Sequence, residues 1–225
     1  MPNARVVVMG SFVADLAFRT PRLPSWGETV LGTEFRLGPG GKGSNQAVAA
    51  ARLGANISFI CKLGRDAFGD LARRTYAQDG VDTRFVFETL DHATGGATII
   101  IDQASGENAI VVVPGSCFTL NADDIDNARD AIAGAAVFMT QLELPLASVE
   151  HGLRLAKSLG AATILNPARR ARCPSRSIRS ATTRRRTKGR RRCSPARAIP
   201  SARPRRCWPA ASATSSSPSA RRARW

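Results

Sequence analysis

The chain is 225 residues long and carries 33 Lys and Arg against 17 Asp and Glu, a formal net charge of +16. That balance points first to a nucleic-acid partner, but residues 1–168 hold all 17 acids and 14 of the bases, net −3, while 169–225 hold one Lys, 18 Arg and no acid, net +19. No apolar run approaches the ~20 residues of a membrane-spanning helix, the short run after Arg5 is expected to be a first strand rather than a secretory leader, and five cysteines at 61, 117, 173, 193 and 207 match neither a disulfide framework nor a zinc pattern. A cytoplasmic protein with free thiols is expected.

Residues 6–9 form a short apolar run that ends at Gly10, as a buried strand feeding a functional loop would. Residues 29–37 alternate with period two and predict a half-exposed strand. Gly38-Pro39-Gly40-Gly41-Lys42-Gly43 then breaks regularity, with Ser44 at the N-cap of an Ala-rich helix over 45–53 and Gly54 at its end. A strand over 57–63 and a helix over 67–79, closed by Gly80, come next. Strands are predicted over 85–87, 96–102 and 108–113, with a turn at Gly106-Glu107. A helix over 123–132, a strand over 136–142, a helix over 146–159 and a strand over 163–165 complete the series. Late strands alternating with helices argue an α/β domain on a parallel sheet, and the neighbouring alternating strands argue a small extra sheet.

The glycine cluster is the most informative local feature. Gly38, Gly40 and Gly43 match G-x-G-x-x-G with Asp66 downstream, so a dinucleotide-binding protein is one reading. The preceding strand is not apolar on both faces, however, and Pro39 removes a backbone N–H from the turn. Lys42 is followed by Gly43, so a Walker loop is excluded. A plain tight turn is the bland alternative. Asn45 and Gln46 open the helix as amides able to donate and accept toward hydroxyls. Amides at that helix start are expected to be free for a polar or anionic ligand. Asp15 and Glu143 sit near the ends of predicted strands, where α/β proteins bind ligands. Two carboxylates, an amide and a glycine turn suit a polyol.

The run Gly40-Gly41-Lys42-Gly43-Ser44-Asn45-Gln46-Ala47-Val48-Ala49-Ala50-Ala51-Arg52-Leu53-Gly54-Ala55 resembles the ribokinase-like (PfkB) carbohydrate kinases. Gly64-Arg65-Asp66-Ala67-Phe68-Gly69, Gln141-Leu142-Glu143 and Leu165-Asn166-Pro167-Ala168 follow in that family's order. The resemblance implies an α/β fold: a central β-sheet flanked by helices, with a small β lid over the sugar. It implies ATP-dependent phosphorylation of a sugar hydroxyl, with Mg2+ and a monovalent cation as cofactors and a homodimer formed through the lid. Asp15 is similar to the family's sugar-binding carboxylate, Gly41, Lys42, Gly43, Ser44 and Asn45 to its sugar-binding loop, and Glu143 to a further sugar contact. Family members acting on ribose often carry Asn two residues before that Asp; here Val13 stands there, so the resemblance implies a sugar rather than ribose itself.

In the family the phosphoryl-transfer groups lie in the C-terminal half, where a Gly-Ala-Gly-Asp segment supplies an anion hole and the Asp base. This chain has no Gly-x-Gly-Asp, and the likeness is expected to stop at residue 168. Residues 1–168 therefore read as an incomplete family domain, truncated at its C-terminal half. The chain as it stands is expected to be inactive, with no catalytic residue, with its ATP-binding segment absent, and with the edge of the last strand, 163–165, unpaired.

Residues 169–225 contain ten Ala, ten Ser and six Pro but no Leu, Val, Phe or Met, too little apolar surface to offset chain entropy, so disorder is expected. Such a tail could grip nucleic acid non-specifically through its arginines, giving a sugar-binding module with a basic arm. A linker would not need the arginines. A frameshift would explain them, because Arg, Ala, Ser and Pro without acids is what GC-rich codons yield out of frame. Arg184 to Gly189 can be written CGA CGC CGA ACG AAG GGC. Two bases on, this reads ACG CCG AAC GAA GGG, or Thr-Pro-Asn-Glu-Gly, and Thr-Pro-Asn-Glu resembles the family's motif on its next strand. In the same frame Ser212 to Trp225 permits Gly-Asp-Val-Val-Val-Thr-Leu-Gly-Glu-Lys-Gly-Ala-Leu, close to a further family strand and turn.

Overall fold

The apolar run RVVVM forms β1 (Arg5–Met9), and parallel partners on both sides bury its second half completely. The computed structural model describes residues 4–167 and the backbone of 183–184. These belong to one unit that extends over Met1–Arg186. Beside β1 lie β4 (Asn56–Gly64) and then β5 (Val86–Thr89) on one side. On the other side lie β8 (Ala135–Gln141) and β9 (Ala162–Asn166), with the two residues of β10 (Thr183–Arg184) beyond them. All six strands are parallel, in the order β10-β9-β8-β1-β4-β5. The chain therefore builds outward from β1 in both directions, and the junction of β1 with β8 is the switch point where open α/β sheets bind ligands.

Four further strands, β2 (Val13–Thr20), β3 (Glu34–Gly40), β6 (Thr94–Asp102) and β7 (Asn108–Gly115), form a second sheet in the order β3-β2-β6-β7. Two of these differ from expectation. The segment Val13–Thr20, not predicted as a strand, is β2, the centre of this small sheet between β3 and β6. The strand predicted over 29–37 is β3 (Glu34–Gly40), and it runs straight through Gly38-Pro39-Gly40. Pro39 is tolerated because β3 is an edge strand, where a missing N–H leaves no ladder bond unmade. β6 (Thr94–Asp102) and β7 (Asn108–Gly115) form the expected hairpin, with Gly106 in its turn at φ +72°.

Helix α1 (Lys42–Arg52) begins earlier than predicted. Gly41, at φ +88°, holds its N-cap position, so Ser44 lies within the first turn rather than at the cap. α2 (Ala67–Gln78) is capped by Asp66, whose side chain accepts from the Gly69 N–H. The predicted helix over 123–132 is two short ones, α3 (Ala122–Asn127) and α4 (Arg129–Ala133), parted at Ala128. α5 (Leu146–Ser158) packs Gly152 against Met9 and Phe138, so closely that an added methyl would lie 2.9 Å from Met9 Cε. Core residues Phe12, Phe59 and Tyr76 meet edge to face between the main sheet and the helices, at ring separations of 6.3 and 5.2 Å from Tyr76.

The edge of β9, expected to be bare, carries β10 in parallel register, Thr183 beside Ile164 and Arg184 beside Leu165. Main-chain groups alone make such a ladder, so composition did not announce it. The expected disorder of 169–225 otherwise lies outside the described residues.

Candidate functional site

Ser11 follows β1 and Glu143 follows β8, and Met9 pairs with Thr140 at the ends of those adjacent strands. Their side chains meet at the switch point: Ser11 Oγ donates to Glu143 Oε2 at 2.8 Å. Above this junction stands the small sheet, and a cavity of about 480 Å³ lies between. Its polar lining comprises Ser11, Asp15, Lys42, Asn45 and Glu143. The opposite wall is apolar. Ala97 and Ile99 of β6 pair with Val112 and Ile110 of β7, so period-two alternation turns all four to the cavity, and Phe118 extends the wall.

Glu143 is held on both oxygens. Oε2 also accepts from the Lys42 backbone N–H at 3.2 Å, and Oε1 pairs with Lys42 Nζ. Burial pushes this carboxyl up, but the hydrogen bonds from Lys42 and Ser11 outweigh it, and the net displacement is below the usual glutamate range. Asp15 is the contrast. It lies in β2, within the small sheet rather than in a loop after β1, and burial alone holds its carboxyl above the usual aspartate range. Among the described residues it has no hydrogen-bond partner in the ligand-free chain.

The glycine turn shapes the floor. Gly41 adopts a backbone conformation that L side chains rarely take, and a methyl there would approach Ser11 O to 2.5 Å. Gly43 passes Gly10 just as tightly, which lets the start of α1 lie on the end of β1. The structure therefore brings Asp15, Gly41, Lys42, Asn45 and Glu143 to the cavity lining, whereas Gly43 and Ser44 are buried beneath it. Gln46 faces inward too, accepting from Gln141 Nε2 at 2.6 Å. Sequence reasoning passed over Ser11 and the apolar wall. The period-two pattern of 96–102 and 108–113 was the available signal for the wall, while the Ser11 contact spans 132 positions and leaves no local trace.

Two expectations change at this point. Three of the amides opening α1 are already engaged: Lys42 N donates to Glu143, Ser44 N to Ser11 O and Asn45 N to Gly41 O. With those three engaged, the turn meets a hydroxyl-rich ligand chiefly through side chains. The dinucleotide reading also fails, because β3 is an edge strand of the small sheet and Asp66 is turned inward, accepting from Gly69 N and Thr94 N. Among the described residues no group of three or more His, Cys, Asp or Glu could hold a metal ion.

A sequence profile of the pfkB family carbohydrate kinases matches residues 3–182, beyond the expected limit of 168. Ribokinase of Mus musculus is 46% identical over 165 residues, covering 73% of this chain and 51% of that protein. Deoxyribokinase of Salmonella typhi is 35% identical over 163 residues, covering 72% of this chain and 53% of that protein. The structure of Arabidopsis thaliana ribokinase complexed with ribose and ATP is similar at a TM-score of 0.64 and 29% identity, covering 72% of this chain and 53% of that one. This chain spans about half the length of the curated relatives it matches.

Proposed function

This chain belongs to the pfkB family of carbohydrate kinases, and from that premise we propose that its cavity binds a pentose as the phosphoryl acceptor of an ATP-dependent kinase. One observation carries the reading. A half-buried carboxylate without a hydrogen-bond partner among the described residues, Asp15, shares a cavity with an ion-paired Glu143 and the exposed amide of Asn45, opposite an apolar wall. A sugar presents hydroxyls on its edges and C–H groups on its faces, which suits such a lining. Asp15 accepts from sugar hydroxyls, Asn45 donates and accepts, and Lys42 with Glu143 engages a further hydroxyl. Gly41 lets the floor approach the ring, while Gly43 and Ser44 support that floor from below.

For the whole enzyme the family implies ATP, Mg2+ and a monovalent cation, a cytoplasmic location and a homodimer formed through the lid. The exposed apolar side chains of Phe35, Val111 and Val113 on the small sheet support that dimer. The described residues do not fit the nucleotide or its metal: Lys42 is paired, three of the amides opening α1 are engaged, and no acidic cluster is present among them. The contribution of these residues is binding and orientation of the sugar. No helix among them is long and apolar enough to cross a membrane.

Residues 169–225 are proposed to be read out of frame. Composition and the two family-like peptides in one shifted frame support this, as does β10 lying at Thr183–Arg184, where the shifted codons begin to spell the next-strand motif. Any nucleic-acid binding by this segment is then charge-driven and non-specific.

Titrating ribose and 2-deoxyribose into the full chain by calorimetry tests the sugar reading. Saturable binding of at least one pentose, abolished by Asp15→Asn, is expected. Binding of neither, or undiminished binding by the variant, overturns it.

A further inference from the structure

Ser11 has no part in the reading above, yet its hydroxyl is the contact that joins the two central strands at the cavity. Its main chain is fixed on both sides. Gly10 N donates to Ile60 O at 3.0 Å, and Ser11 O accepts from Ser44 N at 3.1 Å in the first turn of α1. Gly41 packs against that same carbonyl. The hydroxyl is therefore delivered to Glu143 by a rigid backbone, and Ser11 is 3% exposed.

A carboxylate has about four lone-pair sites, two on each oxygen. On Glu143, Oε2 takes Ser11 Oγ at 2.8 Å and Lys42 N at 3.2 Å, which fills it. Oε1 takes Lys42 Nζ, which leaves one site. We propose that Ser11 is a positioning residue that pins Oε2, so that Glu143 presents the ligand a single acceptor on Oε1, beside the Lys42 ammonium. The pair then reads one hydroxyl, by one acceptor and one donor in fixed relation, while Asp15 keeps both oxygens for the others. Without the Ser11 hydroxyl the carboxylate can turn about its last bond, and either oxygen can meet the ligand. This inference rests on the pentose-binding reading for its ligand, but not for its geometry.

The geometry is tested without any ligand. Full-length chain labelled with 13C at glutamate side-chain carboxyls is titrated by NMR, with the Glu143 signal assigned through Glu143→Gln. Lys42 and Asp15 are the other charged groups lining the cavity, so their amide signals are followed in the same titration. In Ser11→Ala the Glu143 midpoint is expected to move up, because a donor to the charged form is lost. In Ser11→Thr, which keeps the hydroxyl, it should return toward the wild-type value. Ser11→Cys, which fills the space with a weaker donor, should fall between and serves where the alanine variant does not fold.

Pentose affinity at neutral pH is expected to fall about tenfold in Ser11→Ala, the scale of one hydrogen bond to a charged group. That loss should deepen toward acid pH, and the threonine variant should recover it. A purely structural role would lower affinity equally at every pH. A Glu143 midpoint unchanged in a folded Ser11→Ala or Ser11→Cys chain overturns the proposal. Wild-type chain that binds no pentose overturns the sugar reading instead, and the carboxyl titration still decides the role of Ser11.

Discussion

The carboxylate of Asp15 lies across the α-carbon of Gly40, so that a methyl group built on Gly40 would overlap it. The two residues belong to neighbouring antiparallel strands, β2 and β3, and the absence of a side chain at Gly40 leaves Asp15 its place at the cavity. Gly40→Ala is therefore expected to displace the carboxylate while sparing the fold, since the obstructing atoms are side chain rather than backbone. Pentose affinity should fall about tenfold or more, the scale of one lost charged hydrogen bond. Calorimetry and a thermal melt on the same sample check this, and a large fall in melting temperature with affinity retained would contradict it.

Asp15 also sets an opposition between stability and binding. Burial raises its carboxyl above the ordinary aspartate value of 3.8. The folded chain thus holds that proton more tightly than the unfolded chain. The stabilisation is complete below the unfolded value and is lost as pH rises through the folded one. Asp15→Asn, which carries no charge, should raise the melting temperature at pH 7 and leave it little changed near pH 3. The same variant should bind no pentose. In the wild type, pentose binding should weaken on acidification as Asp15 takes up its proton above the ordinary aspartate value.

The main sheet was legible because β1, β4, β8 and β9 are compact apolar runs bounded by Gly, Asn or Pro. β2 was not, although Ala14, Leu16 and Phe18 alternate with Asp15 and Arg19. Only Gly10-Ser11-Phe12 separates it from β1, and no turn signal marks a chain that leaves one sheet for another. β3 continues through Gly38-Pro39-Gly40, which local chemistry does not predict because it cannot say which strands are edges. At the cavity, Asp15 and Glu143 are legible from their place near strand ends, and Lys42 from the glycine run that resembles the family's loop. Gly43 and Ser44 lie buried beneath the lining, and the close approach of Gly43 to Gly10 that puts them there is a tertiary contact with no local sequence signal.

Asp66 ties the two sheets' supports together. One oxygen caps α2 at Gly69 N, 2.8 Å away, and the other accepts from Thr94 N at 2.7 Å, where β6 begins. Burial pushes its carboxyl up, yet the backbone donors outweigh that and hold it below the ordinary aspartate range. Asp66→Ala removes a helix cap and leaves the Thr94 amide unpaired, which should cost about 1–3 kcal/mol. Asp66→Asn retains one acceptor and should cost less. Urea melts at pH 7 give both values. On acidification the wild-type advantage over Asp66→Asn should shrink as pH falls from the unfolded aspartate value through the lower folded one.

The last strand gives the tail its test. Backbone groups of Thr183 and Arg184 pair with Ile164 and Leu165 of β9, so the position beside β9 is one that a strand can occupy. In the frame two bases on, the codons from Arg184 can spell Thr-Pro-Asn-Glu, a family peptide for that position. The nucleotide sequence should then show that one inserted or deleted base between about codon 168 and codon 182, where the family match ends, restores an open frame of the relatives' length, with a Gly-Ala-Gly-Asp segment within it. A chain repaired in this way should phosphorylate ribose or 2-deoxyribose with ATP, and lose that activity on Asp15→Ala with Lys42→Ala. The 225-residue chain should show no turnover above the same double variant. Turnover by the 225-residue chain, or a gene in which no single-base repair opens such a frame, would leave the arginine-rich segment needing an explanation of its own.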